Sequence, residues 1–128
     1  MPSDGDSSGG CIIVVDECVP ARLAERITRE LGRRVKKAIA VAWSVWQGFK
    51  DRMLAQALIE AYCAKGWNVI FITRDWRWKK SAKLREQGGS LISVVKVDRN
   101  VHQSDVWGTV GSQIIGDVKG RLNRLAMA

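Results

Sequence analysis

The residues best able to do chemistry in this chain are carboxylates set at the borders of apolar segments. Asp16 and Glu17 follow the run Cys11-Ile12-Ile13-Val14-Val15, and Asp75 follows Val69-Ile70-Phe71-Ile72-Thr73 by two residues. Asp51 opens a segment of helical periodicity that leads into that second run. In an open parallel sheet, functional groups gather just beyond the carboxyl ends of the strands, and a helix leading into such a strand starts at the same edge. Asp16, Asp51 and Asp75 are therefore expected together, although they are far apart in sequence. Carboxylates at that density repel one another unless a cation joins them. Hard oxygen ligands suit Mg²⁺ or Mn²⁺, and an ion held there can orient water and neutralise charge on a phosphodiester.

Each residue also has a plainer use. Asp51 can serve as a helix N-cap, Asp16 can accept bonds from a neighbouring turn, and Asp75 can pair with Arg74 or Arg77 at the surface. Glu17 reads as a supporting residue rather than a ligand. Three cysteines, Cys11, Cys18 and Cys63, with His102, lack the Cys-x-x-Cys spacing of a zinc site and read as reduced, mostly buried thiols.

The surrounding charge has the opposite sign. Twenty-one Lys and Arg against 13 Asp and Glu give a net charge of +8 and a pI near 9.9, which favours polyanionic partners. Arg74, Arg77, Lys79 and Lys80 lie around the third acid and are the expected nucleic-acid contacts. The chain has 6 tryptophans. Trp43, Trp46, Trp76, Trp78 and Trp107 sit in turn-like or polar surroundings, so some are expected at the surface, for stacking on bases or for a subunit interface.

The elements that must position these groups follow from periodicity. Residues 1–10 form a small polar tail expected to be disordered, and 11–128 form a single domain. The β-branched run 11–15 suits a central parallel strand. Pro20 opens a helix over 20–31, with Leu23, Ala24, Ile27 and Leu31 on one face, Glu25 and Arg29 as an i,i+4 pair and Gly32 as its cap. A strand is expected around 38–43, then a loop through Gly48. A helix runs from Asp51 to about Lys65, capped by Gly66. Strands follow at 68–73 and 91–97, separated by a basic loop and short helix in 76–87. A terminal helix from about Ser104 carries Val106, Val110, Ile114, Val118 and Leu122 at four-residue intervals, with Gly108, Gly111, Gly116 and Gly120 allowing close packing. The alternation predicts an α/β domain with a mostly parallel sheet and right-handed crossovers. No apolar run approaches a membrane span, and a cytoplasmic location is expected.

At these residues the chain resembles the PIN-domain ribonucleases, in particular the short PIN-like branch near the VapC toxins. Asp16-Glu17-Cys18-Val19-Pro20 matches that branch's Asp-Glu-x-x-Pro, and Asp51 in Lys50-Asp51-Arg52-Met53-Leu54 matches its acidic helix start. Thr73-Arg74-Asp75-Trp76-Arg77-Trp78 matches in part its Thr-x-Asp-x-Asp-aromatic. The likeness covers residues 11–97. It implies a three-layer α/β/α, flavodoxin-like sandwich and a metal-dependent endoribonuclease, often dimeric, with many relatives being toxins held by a small antitoxin. Asp16, Asp51 and Asp75 would be the ligands of Mg²⁺ or Mn²⁺, with Thr73 helping to hold the site. Arg77 departs from the pattern, standing where the family has a second acid. This leaves a nucleic-acid-binding module with weakened catalysis as the alternative. A phospho-accepting receiver domain fits less well, because Asp51 precedes a helix rather than ending a strand.

Overall fold

The computed structural model describes residues 10–74, 92–96 and 107–127. In chain order these form β1 (Cys11–Val15), α1 (Arg22–Leu31), β2 (Lys37–Ala40), α2 (Asp51–Ala61), β3 (Asn68–Thr73), β4 (Ile92–Lys96) and α3 (Trp107–Met127). The class is α/β. The four strands lie in the order β2-β1-β3-β4, and every pairing is parallel.

Central position explains the sequence of β1. All five of its residues are buried, as expected for a parallel strand covered on both faces. Successive side chains point to opposite faces. Cys11, Ile13 and Val15 join Ile70 and Ile72 of β3 in one apolar cluster, with Leu23, Ala24, Ile27 and Leu31 of α1 and Ile114, Ile115, Val118 and Leu122 of α3. Ile12 and Val14 join Val69 and Phe71 in a second cluster, with Leu54, Ala55, Leu58 and Ile59 of α2 and Tyr62 just after it. On α1 the buried residues are the four expected from their spacing. On α3 Ile114, Val118 and Leu122 are buried as expected, Val110 is partly buried, Ile115 joins them unexpectedly, and Val106 lies outside the described residues.

The clusters also follow from strand order. The crossover from β1 to β2 runs one way along the sheet, and the crossover from β2 to β3 runs back past β1. Right-handed connections in opposite directions put α1 and α2 on opposite faces. The strand order reverses between β1 and β3, the position at whose carboxyl edge open α/β sheets ordinarily place their ligands.

Several boundaries differ from expectation. The second strand is Lys37–Ala40 rather than 38–43, because the chain turns into a 3₁₀ segment at Val41–Trp43. Trp46 and Phe49 then pack against the α2 cluster. Helix α1 begins at Arg22 rather than Pro20, whose carbonyl accepts the Leu23 N–H at 3.0 Å. Helix α2 ends at Ala61 rather than near Lys65, and Gly66, in the left-handed region at φ 86°, closes a separate 3₁₀ turn over Cys63–Lys65. The i,i+4 ion pair seen on α1 is Arg26–Glu30 at 2.7 Å, not Glu25–Arg29. Gly10, assigned to the tail, already accepts the Asn68 N–H at 2.8 Å. Of the glycines expected to allow close packing, Gly111 does so, facing Arg26 and Leu23 of α1, whereas Gly116 faces open space. Among the described residues no helix is long and apolar enough to cross a membrane.

Candidate functional site

Asp16 sits at the carboxyl edge of the sheet between β1 and β3, where the strand order reverses. Its backbone N–H still donates to the Ile72 carbonyl at 2.9 Å, so the ladder with β3 fixes the residue one step beyond the strand. Its own carbonyl accepts the Val19 N–H at 3.0 Å, which turns the chain back over the sheet edge.

Both carboxylate oxygens accept hydrogen bonds. Oδ1 takes the Glu17 backbone N–H at 2.8 Å. Oδ2 takes the hydroxyl of Thr73, the last residue of β3, at 2.6 Å. Thr73 is the buried polar residue of the described core, at 0% exposure. A hydroxyl so placed must find a partner, and an ionised carboxylate is among the strongest available.

Cys18 completes the cluster, and sequence reasoning missed it. Its thiol lies 3.4 Å from Asp16 Oδ2 and 3.6 Å from Thr73 Oγ1, and its sulfur accepts the Arg74 backbone N–H at 3.2 Å. Because the Thr73 proton is committed to Asp16, the single thiol proton can go to either oxygen. Burial pushes the Cys18 thiol above its usual value, opposed by the Arg74 N–H and the Thr73 hydroxyl and assisted by the negative charge of Asp16. The available signal was its place two residues after Asp16, where a turn folds a side chain back onto the strand end.

Glu17 is exposed, and its Oε1 accepts the Gly48 N–H at 2.8 Å. It thereby ties the segment before α2 to the segment after β1. Asp51 is the first residue of α2, with Lys50 at the N-cap position. The crossover from β2 to β3 starts that helix on the carboxyl side of the sheet, the side of Asp16. Arg74 directly follows β3 and is partly buried. Asp75, Arg77, Lys79 and Lys80 lie outside the described residues, as does His102.

The cysteines do not share a site. Cys11 lies in the α1 cluster, Cys63 in the α2 cluster on the other face and Cys18 at the carboxyl edge, and all three are free thiols. Trp43 is 63% exposed, whereas Trp46 packs edge-on against Tyr62 and Trp67 stacks on its ring.

For a divalent cation, Asp16 offers hard oxygen donors, of which Oδ1 accepts one hydrogen bond and Oδ2 accepts that of Thr73 with the Cys18 thiol 3.4 Å away. Among the described residues no group of three or more His, Cys, Asp or Glu is arranged to hold a metal. No family model matches the chain, and comparisons with curated proteins and with solved structures give no match. The chemistry of the site therefore rests on its own geometry.

Proposed function

We propose that this chain is a metal-dependent endoribonuclease of PIN-like type, built as a three-layer α/β/α sandwich. Asp16, Asp51 and Asp75 would hold Mg²⁺ or Mn²⁺. The observation that carries the reading is Asp16 itself, a carboxylate held by a fully buried hydroxyl at 2.6 Å where the strand order reverses, in a chain of net charge +8.

When bound, the ion would supply an oriented water and neutralise charge on the scissile phosphate. The residues have separate tasks. Thr73 and Cys18 keep the Asp16 carboxylate in one orientation. Glu17 anchors the segment that leads to Asp51. Arg74, Arg77, Lys79 and Lys80 engage the RNA backbone. The resemblance further implies a cytoplasmic toxin restrained by a small antitoxin and acting as a homodimer.

The test is cleavage of single-stranded RNA in Mn²⁺. Asp16→Asn should lower the rate by on the order of a hundredfold or more, equivalent to losing several kcal/mol of charge stabilisation, and EDTA should abolish cleavage. Activity that survives both would sink the proposal.

A second reading is a nucleic-acid-binding module with weakened catalysis. Two observations favour it. Arg77 stands where the resembled family has an acid, and both Asp16 oxygens already accept protein hydrogen bonds. That module would bind RNA in a salt-dependent way and show no turnover.

A further inference from the structure

The amino ends of the strands form the other end of the sheet, and the chain repeatedly places cations there. Arg29 lies in the last turn of α1, Arg33 and Arg34 follow it, Lys36 precedes β2, Lys37 opens β2 with its ammonium 5.7 Å from the Tyr62 ring centre, and Lys65 precedes β3. All six are exposed. Backbone bonds hold their segments side by side, the Lys36 N–H donating to the Cys11 carbonyl at 2.7 Å and the Asn68 N–H to that of Gly10 at 2.8 Å. The Arg34 guanidinium donates to the Asn123 side chain, which brings the last turns of α3 to the same end. An open groove of about 480 Å³ lies along residues 28–34.

The acids at this end do not cancel the excess. Glu30 pairs with Arg26 and Asp117 with Arg121, each within its own helix, and Glu60, bonded to the neutral Gln56, offsets at most one of the six cations. The Arg26 hydrogen bond, with the charges of Arg26, Lys119 and Arg29, holds the Glu30 carboxyl below its usual value. A basic residue in a helix's last turn ordinarily complements the helix dipole. That accounts for Arg29 and not for the cations beyond it.

A basic surface can meet a nucleic acid or an anionic membrane, and insertion into a membrane interface draws on apolar residues beside the cations. Among the described residues the exposed large hydrophobics are Trp43, Val45 and Met53. They lie after the carboxyl end of β2, away from this surface. We infer that Arg29, Arg33, Arg34, Lys36, Lys37 and Lys65 form a sequence-independent binding surface for nucleic-acid phosphates, at the opposite end of the sheet from Asp16. The inference rests on charge and placement and does not require the ribonuclease reading.

The experiment measures binding of a labelled single-stranded oligoribonucleotide to the whole chain across a salt series, in EDTA so that cleavage does not intrude. Each phosphate neutralised on a single strand contributes ~0.7 to the slope of log affinity against log salt. Replacing Arg33, Lys36 and Lys65 together by Gln should therefore make the slope shallower by roughly 2 and weaken binding at low salt by about tenfold or more. Arg33→Gln and Lys65→Gln alone should each cost about 0.7, and the swaps Arg33→Lys, Lys36→Arg and Lys65→Arg should restore it. An unchanged slope in a Gln variant of native circular dichroism would overturn the inference, as would binding to phosphatidylserine vesicles but not to RNA. Absence of cleavage by the parent protein would defeat the ribonuclease reading and leave this slope comparison intact.

Discussion

Asp16 and Thr73 are 57 positions apart and meet at 2.6 Å, so the bond belongs to the tertiary structure and to no local motif. Hydrogen bonds to a charged acceptor are worth about 1.5–3 kcal/mol. Asp16 is partly exposed, and water can replace some of what is lost. Thr73→Val keeps the shape of the buried side chain and removes its donor. It is expected to destabilise the protein by about 1–2 kcal/mol, read as a lower urea midpoint at constant slope. Thr73→Ser keeps the hydroxyl and loses a buried methyl, so its cost is expected to be about 1 kcal/mol or less. A Val variant as stable as the Ser variant would show that the hydroxyl does not hold the carboxylate.

At the scale of elements, α3 tests the distinction between a glycine that packs and one that does not. Gly111 lies where a Cβ would meet Arg26 and Leu23, whereas at Gly116 a Cβ would meet nothing within 4 Å. Gly116 is exposed in the interior of the helix, so it costs helical stability without a compensating contact. Gly116→Ala is expected to stabilise the protein by about 0.5–1 kcal/mol, seen as a raised thermal midpoint. No gain would mean that α3 frays at this position.

The same elements show what a sequence can reveal. The faces of α1 and α2 and the burial of β1 and β3 follow from apolar spacing alone, because periods of 3.6 and 2 encode which side meets the core. So does the placement of Asp16 at a strand end. The segment from Val41 to Phe49 was illegible for a physical reason. Its residues alternate in no helical or strand period, and their positions are set by contacts with Tyr62 and the α2 cluster, distant in sequence. Cys18 was hidden in the same way, its partners Thr73 and Arg74 lying 55 and 56 residues away.

For the whole molecule, the buried ionisable groups set how stability responds to alkali. Burial pushes the Cys11 thiol from 9.0 to about 12, and it raises Cys63, Cys18 and the Tyr62 hydroxyl as well. Below pH 9 these groups hold their protons in both the folded and unfolded chains and leave stability unchanged. Between pH 9 and about 12 the unfolded chain gives up its thiol protons first, while the folded chain keeps that of Cys11. The folded state then binds more protons, so stability falls as pH rises, by up to about 1.4 kcal/mol per pH unit for each fully linked proton. Cys11→Ala isolates the part played by this thiol, because it removes one buried ionisable group and leaves the others in place. Urea midpoints taken from pH 8 to 11 should fall more steeply for the parent than for Cys11→Ala, although the variant starts lower because of the cavity it creates. Parallel pH profiles would show that the Cys11 thiol does not set the alkaline limit of this fold.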